Sequence, residues 1–190
     1  MCYHIYMRVI AGKYRGKKLQ EFDLSTTKPT LDRVKEGLFS SIQFDIIDAK
    51  VLDLFAGTGG LGIECLSRGA SEVTFVDDSP KAIEIINKNL KGIEGNFKVV
   101  YEDYINFLMQ ARSKHNQYDI ILLDPPFNTD YGVKTINYIL NNNLLSEGGI
   151  IMYEHLYDNA FKLNYPNYNF KQKKYGTVGV VKITKCNIQN

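Results

Sequence analysis

The stretch VLDLFAGTGGLGIE, residues 51–64, decides the fold of this chain. It begins with a short apolar run and continues into a glycine-rich turn, which is typical of a buried parallel strand followed by a loop that approaches a ligand. The residues that follow, 60–68, predict a helix that ends at Gly69. A strand, a glycine turn and a helix in this order form the first unit of an alternating α/β sheet.

The same alternation continues towards the carboxyl end of the chain. We predict further strands at residues 73–77, 97–103, 118–124 and 149–155, with helices at 79–91, 104–112 and 131–141. Residues 169–175 and 178–184 flank Gly176 and predict an antiparallel hairpin. The predicted fold is therefore α/β, with a doubly wound, mostly parallel, seven-stranded sheet.

Two further elements precede this sheet. Residues 7–19 contain short apolar pieces interrupted by Gly12 and Gly16, which predicts a small amino-terminal β-hairpin extension. Thr30 is a suitable cap for a helix that runs to about Phe44, with apolar residues at a spacing of three and four. We expect a boundary between residues 1–45, the basic hairpin and helix, and residues 46–190, the α/β domain.

Composition excludes several classes of protein. The chain has 190 residues, of which 44% are hydrophobic and 23% are charged, so we expect an ordinary folded protein and not a disordered or collagen-like chain. Three widely spaced cysteines, Cys2, Cys65 and Cys186, form no pattern of disulfides or zinc ligands and fit a reducing cytosol. The sequence has no apolar run of about 20 residues and no signal peptide, so we expect a cytoplasmic protein without a membrane partner.

Positive charge is concentrated at the amino end. The net charge is only +2, but residues 1–37 contain eight Lys or Arg and four Asp or Glu, whereas the rest of the chain has 15 basic and 17 acidic residues. Five of the basic residues lie within residues 8–18 without an acidic residue between them, as is typical of segments that neutralise phosphates. Tyr14, within this run, can stack on an unpaired base. A solvated hairpin face is the other interpretation of this pattern.

Carboxylates close the first three strands. Because ligands on such sheets bind at the carboxyl ends of strands, these residues are candidates for a binding site. Asp53 precedes the glycine turn, where it would repel a pyrophosphate but accept hydrogen bonds from an ammonium group. The turn therefore favours the amino acid part of S-adenosylmethionine (SAM) over a dinucleotide. Asp77, with Asp78 beside it, suits two ribose hydroxyls, and Asp103 suits an adenine amino group.

The fourth strand ends in Asp124-Pro125-Pro126-Phe127. Proline has no backbone donor and a fixed φ, so a site made of the Asp124 carboxylate and the Pro125 carbonyl offers acceptors only. Such a site suits a planar NH2 group, and Phe127 offers a face on which a nucleobase can stack. A rigid turn with Phe127 in the core is the structural alternative.

These motifs resemble those of a known family. Asp-Pro-Pro-Phe is similar to the motif of methyltransferases that act on exocyclic amines of bases, and residues 51–64 resemble the SAM-binding motif of that superfamily. Residues 7–19, 28–39 and 66–77 are similar to the RsmD family, the bacterial 16S ribosomal RNA guanine-N2 methyltransferases. The resemblance extends from Met7 to the closing hairpin, so that Met7 is a candidate for the true start. Small departures include Lys28 where Arg is common and Gly60 where Ala is common.

The resemblance implies a Rossmann-like SAM methyltransferase fold and transfer of a methyl group to N2 of one guanine in 16S rRNA. The partner would be 16S rRNA or the small ribosomal subunit, bound by a monomer without metal, and residues 1–45 would be an RNA-binding appendage. The residues expected to hold the target guanine are Asp124, Pro125, Pro126 and Phe127. Those expected to bind SAM are Asp53, Phe55, Ala56, Gly57, Thr58, Gly59, Asp77, Asp78, Asp103 and Tyr104. Those expected to bind RNA are Arg8, Lys13, Tyr14, Arg15, Lys17, Lys18, Lys28 and Arg33.

Three alternatives remain open at this stage. Asp-Pro-Pro-Phe also suits an adenine-N6 methyltransferase of DNA or RNA, although the chain has no room for a large target-recognition domain. A nicotinamide-dependent oxidoreductase does not fit the interrupted glycine pattern or the proline pair. A non-enzymatic RNA-binding module would not need four strand-end carboxylates.

The position of Arg33 is a separate open point. Arg33 either faces the active site or pairs with Glu36 or Asp32 on its own helix.

Overall fold

The protein is described here by a computed structural model, which covers residues 7–22, 30–158, 163 and 165–186, without the side chains of residues 30–33. Strands and helices alternate along the chain as the sequence predicts. In chain order the elements are α1 (Thr30–Ser40), β1 (Lys50–Leu54), α2 (Gly60–Ser67), β2 (Glu72–Asp77), α3 (Pro80–Asn89), β3 (Phe97–Tyr101), α4 (Tyr104–Ser113), β4 (Tyr118–Leu123), α5 (Tyr131–Asn141), β5 (Leu145–Leu156), β6 (Tyr168–Tyr175) and β7 (Val178–Lys185).

The strands form one seven-stranded sheet in the order β3-β2-β1-β4-β5-β7-β6. Strands β1 to β5 are parallel, and β7 pairs antiparallel with both β5 and β6. This arrangement confirms the predicted doubly wound, mostly parallel sheet. The order of strands reverses between β1 and β4, and such a reversal opens a crevice at the carboxyl ends of the strands.

Helices cover both faces of the sheet because its central strands are apolar on both sides. On one face, α1, α2 and α3 pack with strand residues such as Val51 and Ile120 into one core cluster. On the other face, α4 and α5 pack with Leu54 and Ile121 into a second cluster. Cys65 of α2 lies fully inside the first cluster, as a structural cysteine would. No helix among the described residues is long and apolar enough to span a membrane.

The amino-terminal hairpin is a minimal one. A single antiparallel bridge joins Arg8 to Lys18, and residues 13–16 form the turn. Val9 and Leu19 are buried in the same core cluster as α1 and α2. The hairpin is therefore packed onto the sheet domain and does not extend from it.

Helix α1 ends at Ser40, four residues before the predicted end at Phe44. The hydroxyl of Ser40 donates to the carbonyl of Glu36 at 2.6 Å, and the hydroxyl of Ser41 donates to the carbonyl of Leu38 at 2.7 Å. Serine side chains that bond to the backbone in this way compete with the helical pattern. The chain continues as a series of tight turns to Asp48, whose φ of 60° is left-handed.

Candidate functional site

The glycine-rich turn after β1 is held by a carboxylate of the next strand. Asp77 accepts hydrogen bonds from the amide of Gly57 at 2.8 Å and from the amide of Ser79 at 2.9 Å. Gly57 and Gly59 have φ values of 56° and 77°, and Phe55 has a φ of 68°, which is rare for a residue with a side chain. The turn thus has a fixed and strained shape, as is common where backbone approaches a ligand.

A cavity of about 240 Å³ opens above this turn at the reversal of strand order. Asp53 of β1, Asp124 after β4 and Glu154 of β5 line it, together with Lys35 of α1. The remaining lining residues are Met7, Phe22, Phe55, Ala56, Gly57, Thr58, Gly60 and Leu61. Among the described residues, three carboxyl groups from three neighbouring strands therefore share one cavity with one lysine.

Asp53 is the most deeply buried of these carboxyl groups. Burial raises its pKa to about 8, and the neighbouring Asp124 and Asp77 act in the same direction. One backbone donor, the amide of Gly62 at 2.8 Å, opposes that shift. A buried carboxyl with such a raised pKa is stabilised as a carboxylate by any cation that enters the cavity.

Asp124 and Glu154 interact across the same cavity. Solvent reaches Asp124 at the mouth, but the protein atoms around its carboxyl group desolvate it and raise its pKa to about 6. Burial also raises the pKa of Glu154, and the like charges of Asp124 and Asp53 raise it further, whereas Lys35 lowers it. Near neutral pH the cavity thus offers hydrogen-bond acceptors whose ionisation depends on each other.

A smaller cavity of about 60 Å³ adjoins the first and shares Phe55 with it. Its walls combine aromatic rings with carboxylates, contributed by Phe55, Val76, Asp77, Asp78, Glu102, Tyr104, Pro126 and Tyr131. The rings of Phe55 and Tyr104 lie 5.0 Å apart, and those of Tyr104 and Tyr131 lie 5.1 Å apart. Apolar faces beside carboxylate acceptors suit a nucleoside.

Asp103 has a structural partner that the sequence did not reveal. Its carboxylate caps α4 by accepting from the amides of Ile105 at 3.0 Å and Asn106 at 3.3 Å. Glu102, and not Asp103, lines the smaller cavity. Both acidic residues follow the end of β3, so the strand-end rule located the right loop. It did not distinguish Asp103, which caps α4, from Glu102, which lines the cavity.

The loop after β4 carries the Asp-Pro-Pro-Phe motif along the rim of both cavities. Asp124 faces the larger cavity, and Pro126 faces the smaller one. Pro126 also fixes the loop, since its carbonyl accepts from the amide and the hydroxyl of Thr129 at 3.2 and 2.7 Å. Phe127 is 40% exposed. The phenyl ring is therefore a surface feature beside the site and not part of the core.

Most basic residues of the amino-terminal hairpin lie far from these cavities. The amide of Lys13 donates to the carbonyl of Ser67 at the end of α2, and its ammonium group pairs with Glu94 at 2.6 Å. Lys17 donates to the carbonyl of Lys91 at 2.6 Å. These contacts place the hairpin turn, including Tyr14 and Arg15, at the amino-terminal edge of the sheet, opposite the cavities.

The other expected RNA-binding residues have varied positions. Arg8 and Lys18 form the bridge at the base of the hairpin. Lys28 and the side chain of Arg33 lie outside the described residues. The structure therefore brings eight of the ten expected cofactor residues to the two cavities, whose linings lack Gly59 and Asp103. It does not bring the described RNA-binding residues to the same site.

Sequence reasoning missed several lining residues, and three buried ionisable residues of this region stand out among those it missed. Glu154 lies near the end of β5, next to Asp124 in the register of the two strands, so the reasoning applied to the strand ends also covers it. Lys35 is only 6% exposed, and helical spacing from Leu31 and Leu38 would have placed it on the buried face of α1. Glu64, inside the quoted motif, is completely buried and binds Lys35, and nothing in its local sequence indicated that partner.

Comparison with known proteins agrees with this geometry. A family model described as "Conserved hypothetical protein 95" matches residues 7–184. Ribosomal RNA small subunit methyltransferase D of Escherichia coli (strain K12) is 36% identical over 169 residues, which cover 88% of this chain and 84% of that protein. The protein of the same name from Haemophilus influenzae is 35% identical over 151 residues, with 78% of each chain covered.

A solved structure gives the same result. The Escherichia coli protein yhhF superimposes with a TM-score of 0.84 at 34% identity, covering 95% of this chain and 98% of that one. The likeness thus extends over nearly the whole chain.

Proposed function

The chain belongs to the Conserved hypothetical protein 95 family, which is the RsmD family, and from this membership we propose that it methylates ribosomal RNA of the small subunit with SAM as the methyl donor. The observation that carries the proposal is the pair of adjoining cavities at the switch point, with Asp53 in one and a cluster of aromatic rings in the other. The chain spans most of the length of the relatives that bear this name.

The two cavities fit the two halves of SAM. The larger one has Asp53 at the glycine turn, where its carboxylate can accept hydrogen bonds from an ammonium group such as that of a methionine part, and that cation would in turn lower the raised pKa of Asp53. The smaller one, with Asp77, Asp78 and Tyr104, suits an adenosine part. Phe55, Ala56, Gly57, Thr58 and Gly59 would form the turn between the two halves. Asp103 supports the same wall by capping α4.

The target we propose is the exocyclic N2 of a guanine in 16S rRNA. Asp124 and Glu154 offer acceptors side by side in the larger cavity. The Watson–Crick edge of guanine presents adjacent donors, N1–H and the N2 amino group, whereas adenine presents one donor beside one acceptor. An acceptor-rich site therefore favours guanine, and Phe127 is exposed for stacking on its ring.

The residues of the chain contribute mainly position and electrostatics. SAM supplies an electrophilic methyl group when bound. Asp124 and the Pro125 carbonyl accept hydrogen bonds from the amino group and align its nitrogen, which removes much of the entropic cost of the reaction. The Asp124 carboxylate also stabilises the positive charge that develops on that nitrogen as the new bond forms. The target base has to leave its stack to reach this cavity.

We further propose that residues 1–45 act as an appendage that contacts RNA outside the target nucleotide. The hairpin turn exposes Arg15 and carries Lys13 and Lys17 at the sheet edge opposite the cavities. Such a position suits a distant phosphate of a large, folded RNA. The protein would work as a monomer in the cytoplasm, without a metal ion.

The direct test is methylation of 16S rRNA that lacks the modification, with labelled SAM and analysis of the nucleosides. We expect N2-methylguanosine, and N6-methyladenosine would support the adenine alternative instead. The variant Asp124→Ala should lose methylation while calorimetry still detects SAM binding. Turnover close to that of the wild type in this variant would contradict the role of Asp124.

A further inference from the structure

A third cavity, with a strongly basic lining, lies beside the candidate site. It has a volume of about 210 Å³ and opens between α1 and the β5–β7–β6 end of the sheet. Lys171 and Lys173 of β6 and Lys182 of β7 line it, together with Gly37, Ser41, Met152, Tyr175 and Val180. We call this cavity the lysine groove. Neither the amino-terminal basic segment nor the cofactor cavities include any of its lysines.

The register of the sheet connects the lysine groove to the candidate site. Strands β4 and β5 pair Leu123 with Tyr153, so Asp124 continues that register beside Glu154. Val180 pairs with Glu154 on one side and with Lys173 on the other. Three strand spacings thus separate Asp124 from Lys173, about 14 Å at the usual spacing between strands.

The two sites also share a face and a helix. Side chains at alternate positions of a strand lie on the same face, so Met152 of the groove and Glu154 of the larger cavity belong to one surface. Helix α1 contributes Lys35 to the larger cavity and Gly37 and Ser41 to the groove. The mouth at Asp124 and the lysines of the groove therefore lie on the same side of the sheet and beside the same helix.

The groove is held in shape by close packing. A Cβ atom on Gly37 would lie 2.2 Å from the hydroxyl of Tyr175, so only glycine lets this ring approach α1. Lys182 is fixed by the carbonyl of Ser41 at 2.8 Å and by Asp45 at 3.5 Å. Lys171 and Lys173 are exposed to solvent. Asp45 is the carboxylate that pairs with Lys182, the third lysine of the groove. The groove thus keeps a net positive charge.

We propose that the lysine groove binds the phosphates of the RNA strand next to the target nucleotide. This inference rests on the proposed function and adds the path by which RNA reaches the cavity. Lysine ammonium groups along a groove match the backbone phosphates of single-stranded RNA. An RNA strand is favoured over a free phosphate because the lysines follow the strands over several residues and do not converge on one point.

The experiment compares two variants of the same strand. The double variant Lys171→Gln/Lys173→Gln removes two charges from the groove. Lys174→Gln is the matched control, because Lys174 is exposed and lies on the opposite face of β6, over the ring of Tyr157. Binding of a 16S rRNA transcript is measured by fluorescence anisotropy from low to high salt, together with kcat, the KM for RNA and the Kd for SAM.

We expect the double variant to lower the salt dependence of RNA binding. Each phosphate contact to a single strand contributes about 0.7 to the slope of log K against log salt, so two contacts give a slope smaller by about 1.4 and about tenfold weaker binding at 0.15 M salt. The KM for RNA should rise by a similar factor. The Kd for SAM and kcat at saturating RNA should remain those of the wild type, as should all values for Lys174→Gln.

Two results would overturn the inference while leaving the proposed function intact. One is a double variant whose salt slope and KM for RNA equal those of the wild type, while the wild type is active. The other is a control variant that loses as much slope per charge as the double variant, which would mean that total charge and not the groove decides. If the wild type itself transfers no methyl group to the rRNA, the proposed function fails, and the inference fails with it.

Discussion

Replacing Glu64 with alanine should separate the amino-terminal hairpin from the sheet domain. The Glu64 carboxylate is completely buried and accepts from four donors. The amides of Ile10 and Ala11 donate at 2.8 and 2.9 Å, Nε of Arg68 donates at 2.9 Å, and Nζ of Lys35 lies at 3.1 Å. One side chain thus connects the hairpin, α1 and α2.

The size of the effect follows from these four contacts. Breaking a buried ion pair by removing one partner costs about 3–5 kcal/mol, since Lys35 is then left as a buried charge without its carboxylate. Two buried amides also lose their acceptor, at about 1–3 kcal/mol each when water does not replace it. Alanine itself favours the helix, which offsets a small part. All of these costs arise from the loss of one carboxylate and are therefore not additive, so we expect a loss about the size of the ion-pair cost alone, about 4 kcal/mol in the free energy of unfolding.

Urea denaturation measures this loss. With an m value of about 2 kcal/mol per molar urea, the unfolding midpoint of Glu64→Ala should fall by about 2 M. Glu84→Ala is the control, because Glu84 is an exposed carboxylate that pairs with Lys88 on its own helix, and it should leave the midpoint unchanged. Hydrogen exchange should be faster at Ile10 and Ala11 in the Glu64 variant. A midpoint shift below about 0.5 M, or about 1 kcal/mol, would refute the reasoning.

Two further predictions concern the cavities. Desolvation raises the pKa of Asp124 to about 6, so below that pH its carboxyl group is protonated and offers one acceptor fewer. The kcat at saturating substrates should therefore rise with pH through about 6 and then level off. A flat profile from pH 5 to 8 would argue against this role of Asp124. A Cβ atom on Gly62 would lie 2.3 Å from the buried ring of Phe75, so Gly62→Ala should destabilise the protein by about 1–3 kcal/mol and weaken SAM binding. Thermal melting and calorimetry with SAM measure the two effects. Gly60→Ala, whose Cβ meets the flexible end of Met7 at 2.7 Å, is the control for thermal melting, and an equal loss of stability in both variants would contradict the packing argument.

The fold was predictable because each central strand is short, apolar and closed by a carboxylate or glycine. The same rule located Asp53, Asp77 and Asp124 at one edge of the sheet, where the structure has them. It works because parallel strands end on the same side, so local sequence determines position in space. Glu154 lies beside Asp124 in the register of β4 and β5, so its position follows from the same parallel pairing.

Contacts between distant segments were not predictable in this way. The capping role of Asp103 depends on where α4 begins relative to β3, a matter of one or two residues. The partners of Glu64 lie 53 and 54 residues away along the chain. No local pattern distinguishes a buried carboxylate with distant amide partners from an exposed one on a helix.

The basic residues that lie near the candidate site in space are not the ones that the sequence suggests. The basic run at residues 8–18 lies at the edge of the sheet opposite the cavities, because α2, whose eight residues span about 12 Å, leads from the glycine turn to Ser67, where the hairpin turn is bound. Lys171 and Lys173 come from the far end of the chain, but the pairing of β6 with β7 and of β7 with β5 returns them to the level of Glu154. An RNA strand whose base enters beside Asp124 therefore meets the lysines of β6 before it can reach the hairpin turn. Charge reversal in the hairpin should then affect mainly the affinity for large, folded rRNA, whereas neutralising the groove should also affect short single strands that contain the target.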